Sequence, residues 1–192
     1  MSTTPSGAGP KTVAGAPRRL SSRLVYENPW MRVREDRIVR SDGVGTLYGV
    51  VEKPDFALVM PREAGGVWLV EQYRYVPNRR AWEFPQGSWS GPPQGDQAAL
   101  AAAELREETG FSATELRQLG HLYPAYGFSA QAIDIFLATG LVPGPPAREP
   151  SEQDMVQAFF SDAEVTAMIQ AGEIVDAGTI AAFALLGLDA SC

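Results

Sequence analysis

An acidic cluster within residues 104–110 has the residue types and the spacing that could hold a metal ion. Its carboxylates are Glu104, Glu107 and Glu108. Residues at positions i, i+3 and i+4 share one face of an α-helix, where like charges repel each other. A hard divalent cation would neutralise that face, and Mg²⁺ prefers a few carboxylate oxygens together with waters and substrate phosphates. The cluster therefore predicts a Mg²⁺ site that faces a phosphorylated ligand.

The chain around this cluster favours a helix over residues 97–109. Asp96 is a typical N-cap residue, Gly110 stands where helices commonly end in glycine, and residues 98–103 are mostly alanine. A row of acids on a helix is usually a solvated face. Here the acids stand at the carboxyl end, where they also oppose the helix dipole. Such locally unfavourable choices are expected at functional sites.

The same residues resemble the second half of the Nudix box. That half reads Arg-Glu-apolar-x-Glu-Glu-x-Gly-apolar, and residues 104–111 match it at each specified position after the arginine. Gly87 resembles the glycine that opens the box, and residues 82–87 resemble the strand and turn that lead into it. The resemblance implies a hydrolase in which the three glutamates bind Mg²⁺, with Mn²⁺ as a possible substitute, and in which Glu107 is catalytic.

The first half of the box is where this chain departs from the family pattern. Ala103 stands in place of the arginine that orients the catalytic carboxylates in the family, and Gly95 stands in place of a box glutamate. The loop of residues 88–95 is also longer than the pattern. These departures concern the rate of catalysis more than the metal site. A Nudix module that binds a nucleotide with weak catalysis remains an alternative.

Two further stretches resemble the branch of the family that hydrolyses ADP-ribose and nucleoside diphosphate sugars. They are the Gln-Tyr-Arg strand at residues 70–75 and the segment at 172–180. This resemblance implies a nucleoside-diphosphate-linked substrate, cleavage to a nucleoside monophosphate and a sugar phosphate, and a homodimer. Residues 85–87, Pro-Gln-Gly, also resemble hydrolases of dinucleoside polyphosphates and RNA ends, so that substrate class remains an alternative.

Charged side chains near the box are candidates for substrate contact. A guanidinium presents paired donors that suit phosphate oxygens, which makes Arg74, Arg79 and Arg80 candidates for binding the diphosphate. Of the adjacent pair we select Arg79, and we expect one of the two to be an ordinary surface arginine. By resemblance, Glu83 is an acid on the substrate side of the turn that ends at Gly87, and that turn positions the box helix.

The loop of residues 149–154 is the candidate source of a general base. In the ADP-ribose branch a glutamate before the last strand has this role, so the resemblance implies Glu152, with Glu149 and Asp154 as alternatives. An acidic surface loop without a catalytic role is the competing interpretation, since loops are commonly polar. His121, the only histidine, is expected to be structural because it has no partner histidine.

The bulk composition limits the classes of partner. A net charge of −7 and a pI near 4.8 make a general nucleic-acid-binding surface unfavourable. Cys192 is the only cysteine, so no internal disulfide can form, which fits a reducing cytoplasm. The amino-terminal region lacks the apolar core of a signal peptide, and the apolar run at 180–188 is too short to span a bilayer. We therefore expect a cytoplasmic protein without membrane contact.

The order of the predicted elements favours an α/β fold. Residues 1–19, at the Ser-, Gly- and Pro-rich end of the chain, are predicted to be a disordered tail ahead of a single domain at 20–190. Strands before, between and after the helices indicate a mixed β-sheet with helices on both faces. The apolar run at 56–60 predicts a buried strand, and Ser161 and Asp176 predict helix starts. The family resemblance implies the same architecture, an α/β/α sandwich.

Overall fold

The protein forms two compact units in a computed structural model that describes residues 15–148 and 152–189. The first unit contains residues 15–53 together with Gly127–Ser129, and the second contains the described residues of 54–126 and 130–189. Most of the predicted tail lies outside the described residues. The prediction of a single domain at 20–190 stays a prediction.

The first unit consists of the strands β1 (Arg18–Asn28), β2 (Met31–Val39) and β3 (Gly45–Glu52). They form an antiparallel sheet in the order β1-β2-β3. A hairpin turn with Gly43 at φ 81° joins the second and third strands. Nearly every residue of β1 is exposed, so this sheet has little core of its own.

The second unit is built on a mixed sheet. Its strands, among the described residues, are β4 (Phe56–Glu63), β5 (Gly66–Arg74), β6 (Arg79–Glu83), β7 (Gln86–Gly87), β8 (Ser112–Leu122), β9 (Ile133–Val142) and β10 (Val156–Ser161). The main path runs β10-β5-β4-β9-β8, with β6 beside β5 and β7 beside β4. The β4–β9 pair is parallel, and the other pairs are antiparallel.

The helices of the second unit begin at the predicted caps. They are α1 (Gln97–Glu104), which continues into a π-helical turn (Leu105–Thr109), α2 (Asp162–Ala171) and α3 (Ala177–Leu188). Asp96 accepts from the N–H of Ala99 at 2.9 Å, Ser161 and Glu164 form a capping box, and Asp176 caps α3. In the described part of the chain, no helix is long and apolar enough to cross a membrane.

Buried side chains on β4 alternate between the two faces of the sheet. Leu58 and Met60 belong to a core cluster with residues of α2 and α3. Ala57 and Val59 belong to a second cluster with residues of α1. A strand that is covered by helices on both faces reads as an uninterrupted apolar run, as residues 56–60 do. The predicted α/β/α sandwich with a mixed sheet is therefore confirmed.

The helix that carries the acidic cluster has the predicted extent but not a uniform geometry. Residues 97–104 are α-helical, whereas the last turn is π-helical. Such a turn holds more residues than an α-helical one, so ideal α-helical spacing does not describe the three glutamates. Gly110 ends the helix at φ 78°, as predicted, and a Cβ there would lie 2.2 Å from the carbonyl oxygen of Gly144.

Candidate active site

The short strand β7 brings the opening glycine of the acidic motif against the first glutamate of that motif. β7 pairs with β4, so that Gly87 stands opposite Ala57. The Glu104 carboxylate packs so closely on the backbone of Gly87 that a Cβ there would lie 2.4 Å from Oε1 of Glu104. A glycine leaves this space free. The contact supports the positioning role that we predict for Gly87.

The turn before Gly87 is held by the amino-terminal end of α3. The N–H of Phe84 donates to Oγ1 of Thr179 at 3.0 Å, and the side-chain amide of Gln86 donates to Oδ2 of Asp176 at 3.3 Å. Thr179 is fully buried. Asp176 and Thr179 both belong to the segment 172–180 whose resemblance to the ADP-ribose branch the sequence shows, but the sequence predicts only the capping role of Asp176 and no bond from Thr179 to the turn.

Glu108 is the most deeply buried carboxylate of the motif. It is 1% exposed, and its Oε2 has no hydrogen-bond partner among the described residues. Burial raises the pKa of Glu108 well above its ordinary value. Three neighbouring carboxylates raise this pKa further and one guanidinium lowers it; these groups belong to Glu104, Glu152, Glu83 and Arg74. The fold thus brings five of the predicted site residues into one electrostatic neighbourhood.

The described side chains around Glu108 offer the oxygen donors that a divalent cation prefers, although their positions do not form a metal site. Among the described residues, no three His, Cys, Asp or Glu side chains come together closely enough to hold a metal ion as they stand. Glu104 and Glu107 are half-buried, and like charges on neighbouring carboxylates repel each other. The unpartnered buried oxygen of Glu108 and an all-carboxylate donor set nevertheless suit Mg²⁺ or Mn²⁺, since both prefer oxygen ligands.

Arg74 forms an ion pair with the buried Glu83. Its Nη2 and Nε donate to the two oxygens of the carboxylate, and the Nε contact is 3.2 Å long. Gln72 donates to the same carboxylate at 2.8 Å. Burial raises the pKa of Glu83, and the hydrogen bonds from Arg74 oppose that rise. The Arg74 side chain is 40% exposed, so its guanidinium can pair with Glu83 and still reach a ligand.

The other two arginines predicted to bind phosphate contact protein groups. Arg79 donates to the carbonyl of Gly172 at 3.1 Å. Arg80 forms ion pairs with Glu71 at 2.7 Å and with Asp154 at 2.6 Å. Arg80 therefore has the contacts of a structural surface arginine. Its partner Asp154 is one of the two alternative bases.

The predicted general base lies on the turn that leads into β10. Glu152 is half-buried, and its carbonyl accepts from the N–H of Met155 at 3.0 Å. Glu149, the other alternative, lies outside the described residues. Close by is a residue that the sequence does not indicate: Arg148 donates through Nε to the carbonyl of Glu108 at 3.0 Å. Its partner is a backbone carbonyl, which any residue offers, so no sequence pattern reveals it.

The place of the box arginine is taken by a small side chain at the edge of a cavity. Ala103 and Arg106 line this cavity, whose volume is about 380 Å³, between the motif helix and β8. The guanidinium groups that act on Glu108 come from other elements. Arg74 acts on its carboxylate and Arg148 on its carbonyl. Positive charge therefore reaches Glu108 from outside the motif helix.

His121 has the hydrogen bonds of a structural histidine. Its Nδ1 lies 2.9 Å from Oδ1 of Asp134, and the side-chain amide of Gln118 donates to the same oxygen at 2.6 Å. Asp134 is buried, so the two donors satisfy a carboxylate that water does not reach freely. This arrangement agrees with the structural role expected for His121.

Removal of the Arg74 guanidinium should destabilise the protein more at high pH than at low pH. In Arg74→Met, Glu83 stays buried without its cation, so its pKa in the folded state rises further above that of the unfolded chain. A raised folded pKa favours folding below the unfolded pKa, and this contribution is lost as the pH rises through the folded value. We expect the unfolding free energy to fall by about 3 kcal/mol at pH 8 and by less at pH 5, measured by urea denaturation.

Arg80→Met is the matched control for this measurement. It removes an arginine from the neighbouring strand whose partners, Glu71 and Asp154, are more exposed than Glu83. We expect it to cost at most about 1 kcal/mol, with little dependence on pH. Equal losses at pH 5 and pH 8 in Arg74→Met would contradict the role assigned to the pair.

Two family models match consecutive parts of the chain. Residues 52–183 match the family described as NUDIX domain. Residues 18–51 match the family described as nucleoside diphosphate sugar hydrolase N-terminal domain. The first match covers more than half of the chain, and it includes the acidic motif and the turn at Gly87.

Three named proteins are similar to this one over most of its chain. An ADP-ribose pyrophosphatase of Mycobacterium tuberculosis is 33% identical over 166 residues, which are 84% of this chain and 79% of that protein. An ADP-ribose pyrophosphatase of Bacillus subtilis is 28% identical over 149 residues, 77% of this chain and 80% of that protein. A CMP-5'-(N-acetyl-N-hydroxy-3-aminopropyl)phosphonate hydrolase of Streptomyces rubellomurinus is 27% identical over 170 residues, 86% of this chain and 80% of that protein.

A solved structure shares the fold. The crystal structure of an ADP compounds hydrolase aligns with a TM-score of 0.81 over 92% of this chain and 95% of that chain. At 20% identity this likeness concerns the fold alone. Because the NUDIX match spans the motif, and because a relative at 33% identity extends over most of the chain, this protein belongs to the Nudix family and is a Nudix hydrolase.

Proposed function

We propose that the chain hydrolyses the diphosphate bond of ADP-ribose or of a related nucleoside diphosphate sugar, giving a nucleoside monophosphate and a sugar phosphate. The proposal rests on the buried, unpartnered Oε2 of Glu108 among carboxylates, which suits a cation that faces phosphate. The choice of substrate is supported by the two relatives named ADP-ribose pyrophosphatases and by the match of residues 18–51 to an N-terminal domain of nucleoside diphosphate sugar hydrolases.

Three glutamates hold the cation in the proposed site. They are Glu104, Glu107 and Glu108, with Mg²⁺ as the ion and Mn²⁺ as its substitute. The ion supplies positive charge against the non-bridging oxygens of the diphosphate. Gly87 leaves room for the Glu104 carboxylate, and burial restrains Glu108. Glu107 is half-buried and is assigned the catalytic role within the motif.

Proton transfer and substrate contact involve residues around this motif. Glu152 is the general base that takes a proton from the attacking water, and its charge acts on the buried carboxylate of the motif. Arg74 contacts the diphosphate through the exposed part of its guanidinium, which Glu83 orients. Arg79 is proposed as a second phosphate contact.

The contact between Gly87 and Glu104 provides a test of the cation site. In Gly87→Ala the methyl group would lie 2.4 Å from the Glu104 carboxylate, whose flexible side chain must then move. We expect the unfolding free energy to fall by less than about 1 kcal/mol, because only the tip of a side chain is displaced. The Mg²⁺ affinity, measured by titration calorimetry, should fall at least about tenfold.

Gly91→Ala is the matched control. It adds the same methyl group in the loop that follows β7, where nothing lies within 4 Å of the new atom. Both the unfolding free energy and the Mg²⁺ affinity should therefore stay close to those of the wild type. An unchanged Mg²⁺ affinity in Gly87→Ala would contradict the assignment of Glu104 as a ligand.

The purified protein should release a nucleoside monophosphate when it is incubated with Mg²⁺ and ADP-ribose or a nucleotide sugar. Chromatography identifies the products, and diadenosine polyphosphates and CMP-linked compounds complete the substrate panel. We expect Glu107→Gln to lower kcat by about 10²–10⁴-fold, the range for loss of a catalytic proton-transfer group. Glu173→Gln changes an exposed carboxylate outside the site and should keep the wild-type rate.

The panel also separates the competing functions. Release of a nucleoside triphosphate from diadenosine polyphosphates alone would favour the substrate class suggested by residues 85–87. A rise in melting temperature with ADP-ribose, without turnover, would favour a nucleotide-binding module, for which Ala103 is the motivating residue. A folded protein that neither binds nor cleaves any member of the panel would refute the proposed function.

We infer that two copies of the chain associate through the first unit. Its strand β1 is exposed along almost its whole length. The unit also presents large apolar side chains, among them Trp30 at 73% and Leu47 at 56% exposure. Such surfaces mark protein interfaces, and a small sheet without a core needs packing to be stable.

The cytoplasmic location stays a prediction.

Light scattering on protein that elutes from a size-exclusion column measures its molar mass and tests this association. We expect a molar mass about twice the 20.7 kDa of one chain. Leu24→Asp places a charge among the exposed apolar residues of β1 and should yield a monomer. Leu188→Asp is the control, because it charges an equally apolar exposed position at the end of α3. A monomeric wild type would rule out the proposed dimer.

A further inference from the structure

The carboxyl end of the motif helix is closed by a chain segment that lies far away in the sequence. The last carbonyls of a helix have no intrahelical partners and need donors from elsewhere. Here the N–H of Ala147 donates to the carbonyl of Glu107 at 3.0 Å. Gly110 and Gly144 approach so closely that a Cβ on Gly110 would lie 2.2 Å from the Gly144 carbonyl oxygen. Residues 144–148 therefore lie directly against this helix end.

Arg148 connects that helix end to the turn before β10. Its Nε donates to the carbonyl of Glu108 at 3.0 Å, and its Nη1 donates to the carbonyl of Met155. The N–H of Met155 donates to the carbonyl of Glu152 at 3.0 Å, so the same peptide turn carries the proposed base. The side-chain amide of Gln153 also donates to the carbonyl of Arg148 at 3.0 Å.

The chemistry of the guanidinium suits this bridge. Its donors point outward in a rigid planar fork, so the two bonded carbonyls are held at one separation. The helix end also carries partial negative charge, which a cation stabilises. Arg148 is half-buried. Its two bonds join the helix end that carries Glu108 to the turn that carries Glu152. The side chains of these two glutamates interact, because the charge of Glu152 raises the pKa of Glu108.

We propose that Arg148 is a positioning residue that fixes the Glu152 turn relative to the helix end that carries Glu107 and Glu108. This inference rests on the proposed function, because it gives Glu152 the role of general base. Arg148 touches neither substrate nor reacting atoms in this scheme. It acts through the peptide groups of two elements, and it keeps the base at a constant distance from the glutamates of the motif.

Arg148→Ala tests the bridge through kinetics and through hydrogen exchange. We expect kcat for the best substrate of the panel to fall by about ten- to a hundredfold, while KM changes by less than about threefold, since binding groups stay in place. Amide hydrogen exchange measured by mass spectrometry should become faster than in the wild type at residues 152–156 and stay unchanged in β9. Arg148→Lys keeps the charge but not the fork and should recover less than about a third of the lost rate.

Combination with Glu152→Gln shows whether Arg148 acts through the base. Because both changes would remove one function, Arg148→Ala should lower kcat no further in a Glu152→Gln background. Multiplicative losses would overturn the proposal, and so would exchange in residues 152–156 that equals that of the wild type. Arg62→Ala is the control, because it breaks the Arg62–Asp162 pair elsewhere in the unit. It should change neither kcat nor the amide exchange of residues 152–156.

Failure of the inference can be told apart from failure of the proposed function. If the wild type turns over substrate and Glu152→Gln keeps the wild-type kcat, the assignment of the base is wrong, whatever Arg148→Ala does. If Glu152→Gln lowers kcat and Arg148→Ala does not, the assignment of the base stands and the bridge is wrong. If Arg148→Ala does not fold, Arg148→Lys and its double variant supply the same comparison.

Discussion

The cost of burying the Glu108 carboxylate is the constraint on which the rest of the site depends. A carboxylate with 1% exposure and an unpartnered oxygen is unfavourable when it is charged, and nearby acids add to that cost. Arg74 offsets part of it, but Arg74 is also committed to Glu83. A fold retains such an arrangement where the group has a task that a neutral core residue could not perform. The proposed cation site gives Glu108 that task.

Two segments remote from the motif hold it at opposite ends. The amino-terminal end of α3 fixes the turn before Gly87, and residues 144–148 close the helix beyond Glu108. Most of these bonds involve backbone groups, so they set the path of the chain rather than the chemistry of particular side chains. The first and last glutamates of the motif are thereby placed by elements that themselves carry no cation ligand.

Two guanidinium groups act on Glu108 although the motif helix lacks the box arginine. Ala103 lines a cavity on the β8 side of the motif helix, whereas the charge of Arg74 lowers the pKa of the buried Glu108 carboxylate. Guanidinium groups reach Glu108 from β5 and from the residue just ahead of the Glu152 turn. Compensation through space is available because a long side chain carries its charge several ångströms from its own backbone.

The features that could be predicted from the sequence depend on local interactions. The caps at Asp96, Ser161 and Asp176, the glycine at 110 and the apolar run of β4 each depend on groups within a few residues, so their patterns can be read without a fold. The π-helical turn, the partners of the arginines and the bonds at Thr179 and Arg148 could not be predicted in this way and follow from tertiary packing. The Phe84–Thr179 bond joins residues 95 positions apart and the Glu108–Arg148 bond joins residues 40 apart. Local propensity does not bring residues so far apart in the sequence together. They meet only when the sheet and its helices pack.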